Sequence, residues 1–186
     1  MGDPRLIVTS NSPRNSSSGP YKCLETAGDG LWMALHLPLL PLVAFTTTMT
    51  QAATVVCQQN QHQYRVIAAN RSAEKGGIRT NMALSTARTL GPQVRVLDRD
   101  LQAERLAIEQ LATFATAWSP TVVIQHDRVL LLEIGSCLRL HHGLPALMKL
   151  VHKSLPSEKL GCRIAVTPPP ASAVLCARSG DDVCVT

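Results

Sequence analysis

The stretch SPTVVIQHDRVLLLEIG, Ser119–Gly135, sets two apolar runs on either side of a short charged break. Thr121–Gln125 and Val129–Ile134 have the length and the valine, isoleucine and leucine content of buried strands, and His126-Asp127-Arg128 between them suits a polar turn. A hairpin is predicted. Two of its acids invite a chemical reading: Asp127 and Glu133 resemble the paired carboxylates that hold a metal or move a proton. The plainer reading makes Asp127 a turn residue and Glu133 an acid that caps or pairs at a strand end.

Upstream of the hairpin, LQAERLAIEQLATFATAW repeats apolar residues at helical spacing, placing Leu101, Ile108, Leu111, Ala112, Ala115 and Trp118 on one face. Asp98 or Asp100 is available as its cap. Downstream, Leu144, Leu147, Met148, Val151 and Leu155 define a second helix with Pro145 in its first turn. CRIAVT (Cys162–Thr167) reads as a strand and ASAVLCAR (Ala171–Arg178) as a short helix. An earlier apolar run, Leu31–Leu37, completes a β-α-β-β-α-β order. That order predicts an α+β fold, an antiparallel ferredoxin-like sheet with helices packed on one face.

Between the first strand and the long helix lies a second group of elements. ATVVC (Ala53–Cys57) and YRVIAAN (Tyr64–Asn70) form a strand pair with QQNQHQ as a loose connection. A short helix follows, stopped by Gly76 and Gly77, then a helix from about Asn81 to Gly91 and Pro92, and a short strand in QVRVLDRD. Residues 1–30 are rich in Ser, Asn, Pro and Gly and are expected to be a disordered extension. Met33 offers a second start.

A net charge of +5 and an isoelectric point near 9.1 suit a polyanionic partner and equally an ordinary protein. Aromatic residues are only 3%, so the core must be aliphatic. The six cysteines show no CxxC and no zinc spacing, and read as reduced thiols of a cytoplasmic protein. LWMALHLPLLPLVAF (Leu31–Phe45) has the length of a signal-peptide core, but Pro38, Pro41 and His36 interrupt it and it is too short to span a bilayer. It is read as a buried strand entering a proline-broken turn, and no membrane partner is expected.

LWMALHLPLLPL, RVIAANRSAEKGGIRTNMALSTARTLGP, WSP and LLLEIGSCLRLHHG together resemble the N-terminal region of the Y-family (UmuC/DinB-type) translesion DNA polymerases, and more closely the family's catalytically inactive, polymerase-like ImuB branch. The strongest match is the register of Asn70, Gly77, Ile78, Arg79 and Met82, which resembles the family's fingers motif. The resemblance implies a palm at residues 31–39 and 101–180, an inserted fingers subdomain at 40–100 and a tail at 181–186. The family's thumb and C-terminal DNA-gripping domain would follow Thr186 and are expected to be absent.

Active members of that family use two divalent cations about 3.5 to 4 Å apart, held by acidic side chains. The resemblance puts the first-strand acids near Ala34 and His36, and the Asp-Glu pair on Arg128 and Val129. None is a carboxylate, and Leu31–Phe45 contains no Asp or Glu. Asp127 lies one residue early and by itself cannot hold two metals. The triphosphate-contacting Tyr and Arg of active members fall on Arg71 and Glu74, and the palm lysine near Val174 or Leu175 after prolines 168–170.

No metal and no cofactor is therefore expected, magnesium serving only in active relatives. DNA is the expected ligand, through Arg71, Lys75, Arg79 and Arg88. A RecA-like accessory protein, a replicative-type polymerase and a sliding clamp are the partners the resemblance implies. The expected role is a non-catalytic scaffold in DNA damage tolerance. The alternatives are an active polymerase with displaced ligands, or a truncated reading frame ending in SGDDVCVT. His141 and His142 read as loop residues, and QLATF (Gln110–Phe114) as helix patterning rather than a clamp peptide.

Overall fold

The computed structural model describes residues 30–44, 52–60, 62–125, 128–155 and 161–179, and the backbone of residues 5–8. In chain order the elements are β1 (Arg5–Val8), β2 (Trp32–His36), α1 (Leu40–Val43), β3 (Thr54–Asn60), β4 (Gln63–Ala69), α2 (Arg71–Lys75), α3 (Leu84–Leu90), β5 (Arg95–Asp98), α4 (Leu101–Ala115), β6 (Thr121–Gln125), β7 (Val129–Glu133), a 3-10 turn (Gly135–Cys137), α5 (Leu144–Ser154), β8 (Arg163–Thr167) and α6 (Pro170–Ser179). They fall into two compact units, one of residues 1–37, 108–156 and 162–186, the other of residues 38–107 and 157–161.

The first unit is built on a sheet of order β1-β6-β7-β2-β8. β2 pairs antiparallel with both β7 and β8, and β6 with β7, so the four strands follow the ferredoxin-like order. β2 is central, and its alternation is apolar on both sides. Trp32 and Ala34 join Val123, Val129, Leu131 and Ala165 in a cluster closed by Ala173, Val174 and Ala177 of α6. Met33, Leu35, Leu130 and Leu132 point to the other face and are fully buried as well. The buried stripes of α4 (Ile108, Ala112, Ala115) and α5 (Leu147, Val151) are the apolar surface available to cover that second face. Helices on one face only, the arrangement expected from the sequence, is thus corrected: α6 covers the side that would have been open.

Two further expectations change in this unit. Arg5–Val8, inside the segment expected to be disordered, pairs parallel with Thr121–Ile124 of β6. Its Leu-Ile-Val core is β-forming and β6 is otherwise an open edge. On α4, Leu101 is exposed rather than on the buried face. The buried row runs through Glu104, Ile108, Ala112 and Ala115, so a charged residue takes the place where an apolar one would be sought.

The second unit carries a sheet of order β4-β3-β5, with β3 antiparallel to β4 and parallel to β5. Its core is Val55, Cys57, Val66, Ala69, Ala73, Ile78 and Ala87. The polar connection expected between β3 and β4 is instead strand: pairing continues through Gln58, Gln59 and Asn60 to Gln63. Cross-strand hydrogen bonds persist there although the side chains reach solvent. The helix expected from about Asn81 begins at Leu84, because Asn81 adopts a positive φ of 70° and its N–H is spent on the Val66 carbonyl at 2.7 Å. Leu101–Ala107 cluster with this unit. Within it, Arg99 is held between Gln58 of β3 and Glu104 of α4.

Candidate functional site

One transverse row of the first sheet brings the sequence-derived positions together. Gln125 of β6 stands opposite Val129 of β7, Val129 opposite His36 of β2, and His36 opposite Arg163 of β8. Directly paired residues share a face, so the four side chains belong to the side that α6 covers. Ala34 sits two residues back on β2, opposite Leu131 and Ala165, fully buried. The Arg128 carbonyl accepts from the Leu37 N–H at 2.9 Å, which places Arg128 at the end of β2. Asp127 and His126 lie outside the described residues.

The electrostatics of this corner are positive. His36 is held down at about pKa 4, first by burial and then by Arg178, Arg163 and, less strongly, Arg128, while the Ala177 carbonyl opposes the shift. Arg163 Nη1 donates to the Arg178 carbonyl at 3.3 Å, joining β8 to the last turn of α6. Two buried polar atoms of the row, His36 Nδ1 and Gln125 Oε1, have no hydrogen-bond partner. Hard divalent cations take several oxygen ligands. Among the described residues the row offers one amide oxygen and no carboxylate, and three guanidinium groups act on its His36, so its chemistry does not fit a two-cation site. Nor do the described residues hold any metal-ligating group of three.

The remaining candidates have local roles. Glu133 turns back on the 3-10 turn, where its carboxylate accepts from the N–H of Ser136 at 3.2 Å and from its hydroxyl. A side chain at Gly135 would meet that carboxylate and the Leu31 nitrogen at 2.9 Å, which explains the glycine. Ser119 of the WSP run is buried, and its hydroxyl accepts from the Thr121 N–H at 3.1 Å while lying beside the Glu133 carbonyl. His141 Nε2 donates to the Trp118 carbonyl at 2.9 Å, and His142 sits in the turn with φ 59°. Gln110–Phe114 is helical, with Phe114 edge-on to Trp118 at 5.3 Å. Val174 is buried in the core and Leu175 is exposed.

In the second unit, Arg71, Glu74 and Lys75 are exposed on α2 at helical spacing, and Arg79 donates through Nη1 to the Glu74 carbonyl at 3.1 Å. Asn70 fixes this helix: its Oδ1 accepts from Ala73 N at 2.9 Å and Thr54 N at 3.0 Å, and its Nδ2 donates to the Ala52 carbonyl at 2.7 Å. Arg88 lies elsewhere, in the last turn of α3, and acts electrostatically on buried Cys57. That thiol is pushed up by burial and then by Asp98. The structure therefore groups Arg71, Glu74, Lys75 and Arg79 and sets Arg88 on a separate element. Gln125, Arg163 and Arg178 were not singled out in the sequence. Their signal is the strand order, since only the adjacency of β2 with β7 and β8 makes them neighbours of His36.

The family model described as impB/mucB/samB matches residues 44–178. No curated protein matches the chain. Among solved structures, DinB from Sulfolobus solfataricus is 14% identical with a TM-score of 0.63, over 80% of this chain and 45% of that one. Dbh DNA polymerase in a post-insertion binary complex gives 14% and 0.69, over 83% and 47%. Its insertion ternary complex gives 14% and 0.67, over 84% and 48%. At this identity the likeness is one of fold, and the chain spans less than half the length of each of these structures. No helix among the described residues is long and apolar enough to cross a membrane.

Proposed function

Because this chain belongs to the impB/mucB/samB family of Y-family polymerase-like proteins, we propose that it is a non-catalytic subunit of DNA damage tolerance, akin to the ImuB branch, which binds DNA and partner proteins as a scaffold. One observation carries the reading. The resemblance implies metal-binding carboxylates near Ala34, His36, Arg128 and Val129, and the row Gln125-Val129-His36-Arg163 offers no carboxylate, with the guanidinium groups of Arg163, Arg178 and Arg128 acting on His36. Two Mg²⁺ ions would be repelled there rather than bound. In this reading the first unit is the palm and the second the fingers. Arg71, Lys75, Arg79 and Arg88 contact phosphate backbone, and Glu74 weakens any triphosphate site on α2. A RecA-like accessory protein, a replicative-type polymerase and a sliding clamp are the proposed partners.

Primer extension with the purified chain in magnesium or manganese tests it. No template-dependent extension is expected; extension at any rate that scales with enzyme concentration overturns the reading. DNA affinity is expected to fall steeply with salt, with a log–log slope of about −3 for single strands if four cations meet phosphates. A flat response rules out those contacts.

A further inference from the structure

We propose that the corner formed by His36, Arg163 and Arg178, flanked by Arg128, is a phosphate-binding site that works without a metal ion. The inference goes beyond the scaffold reading and stands on the first unit alone. Arg163 is the residue paired with His36 across the β2–β8 ladder, and its guanidinium reaches the last turn of α6 at the Arg178 carbonyl. That bond uses one of its five N–H donors. Arg178 projects from the same turn, and both arginines are exposed at the sheet end. Arg128 joins the corner through its carbonyl bond to Leu37.

The C-terminal carbonyls of α6 offset part of this positive charge, and a purely structural role for Arg163 would end there. They leave the buried Nδ1 of His36 without a partner. Burial first, and then the guanidinium groups of Arg178, Arg163 and Arg128, keep the ring neutral at pH 7. A neutral imidazole whose orphan nitrogen accepts, beside guanidinium groups that only donate, is matched by an anion with several oxygens, one of which can carry a proton. A phosphate end group meets that description: its oxygens take the guanidinium N–H groups in paired fashion and its P–OH donates to Nδ1. A phosphodiester has no P–OH, so it requires His36 to take up a proton and donate instead.

The test is a titration of the whole chain with inorganic pyrophosphate, in EDTA and low salt, followed by calorimetry and by the His36 ring resonances. Saturable binding without divalent metal is expected, with the His36 resonances moving and its protonation shifted to higher pH. Arg163→Ala and Arg178→Ala, both at exposed positions, should each weaken binding about tenfold, with Arg163→Lys in between. Lys75→Ala and Arg79→Ala should leave it unchanged, so the site is tested separately from the proposed DNA contacts on α2. Competition distinguishes the source. Displacement by a nucleoside triphosphate assigns the site to free nucleotide or terminal phosphate. Displacement by an unphosphorylated oligonucleotide, strengthening below pH 6, assigns it to nucleic-acid backbone. Binding that requires Mg²⁺, or that survives Arg163→Ala combined with Arg178→Ala, overturns the proposal, as does the absence of binding by all three probes.

Discussion

His36 takes its proton near pH 4 in the folded chain and near 6.5 when unfolded. Between those values the unfolded state binds more protons, so folding stability is complete above pH 6.5 and falls as the pH drops toward 4. The loss is on the order of 2 kcal/mol once solvent screening is allowed for. Chemical denaturation at pH 7 and pH 4.5 should record it, and His36→Leu should flatten this part of the profile; an unchanged profile in the variant would mean that other groups set it. Asn70 is the other residue whose removal has a specific expected cost. Asn70→Ala uncaps α2 and leaves the Thr54 N–H and Ala52 carbonyl without their partner. A loss of about 2 to 3 kcal/mol is expected in urea unfolding, where a loss under about 0.5 would contradict the structure.

At the scale of elements, Arg99 and Glu104 decide where α4 begins to belong to the second unit. The carboxylate is 2% exposed and takes Arg99 Nε at 2.6 Å and Nη2 at 2.7 Å, while Nη1 goes to Gln58 at 3.0 Å. Glu104→Ala removes one partner and leaves a largely buried guanidinium behind, so about 3 kcal/mol or more should be lost. The double variant Glu104→Ala with Arg99→Met should recover much of it, because the stranded charge is gone. A double-mutant cycle by thermal unfolding reads both, and additive losses would argue that the pair does not interact.

For the whole molecule, the order of strands and helices was legible because each strand run is apolar, short and set off by polar breaks, and the long helix keeps its period from Ile108 to Ala115. What escaped the sequence are features decided by pairing. Gln58–Asn60 are polar and read as loop, yet β4 holds them as strand through backbone bonds that no side-chain pattern reveals. Leu101 obeyed the helical period but lay beyond the packed core, while Glu104 broke the pattern and was buried because Arg99 neutralises it. The site was half visible. Ala34, His36, Arg128 and Val129 were singled out from the sequence only through the resemblance, and the positive corner needs Arg163 and Arg178, which come together only when β8 lies beside β2. Reversing charge at Arg71, Lys75 and Arg79 together should lower oligonucleotide affinity at least tenfold at low salt and little at high salt; equal loss at both would indicate misfolding instead.

The parallel pairing of Arg5–Val8 with β6 has a consequence for how that edge of the sheet meets other molecules. Deleting residues 1–8 would remove the lining of β6, exposing Thr121–Ile124 as a bare ribbon of amide and carbonyl groups with valine and isoleucine between them. Such a ribbon recruits strands from neighbouring molecules. The chain with residues 1–8 should therefore stay monodisperse in light scattering at concentrations where a chain lacking them grows into assemblies, making Arg5–Val8 a built-in guard for one side of the sheet.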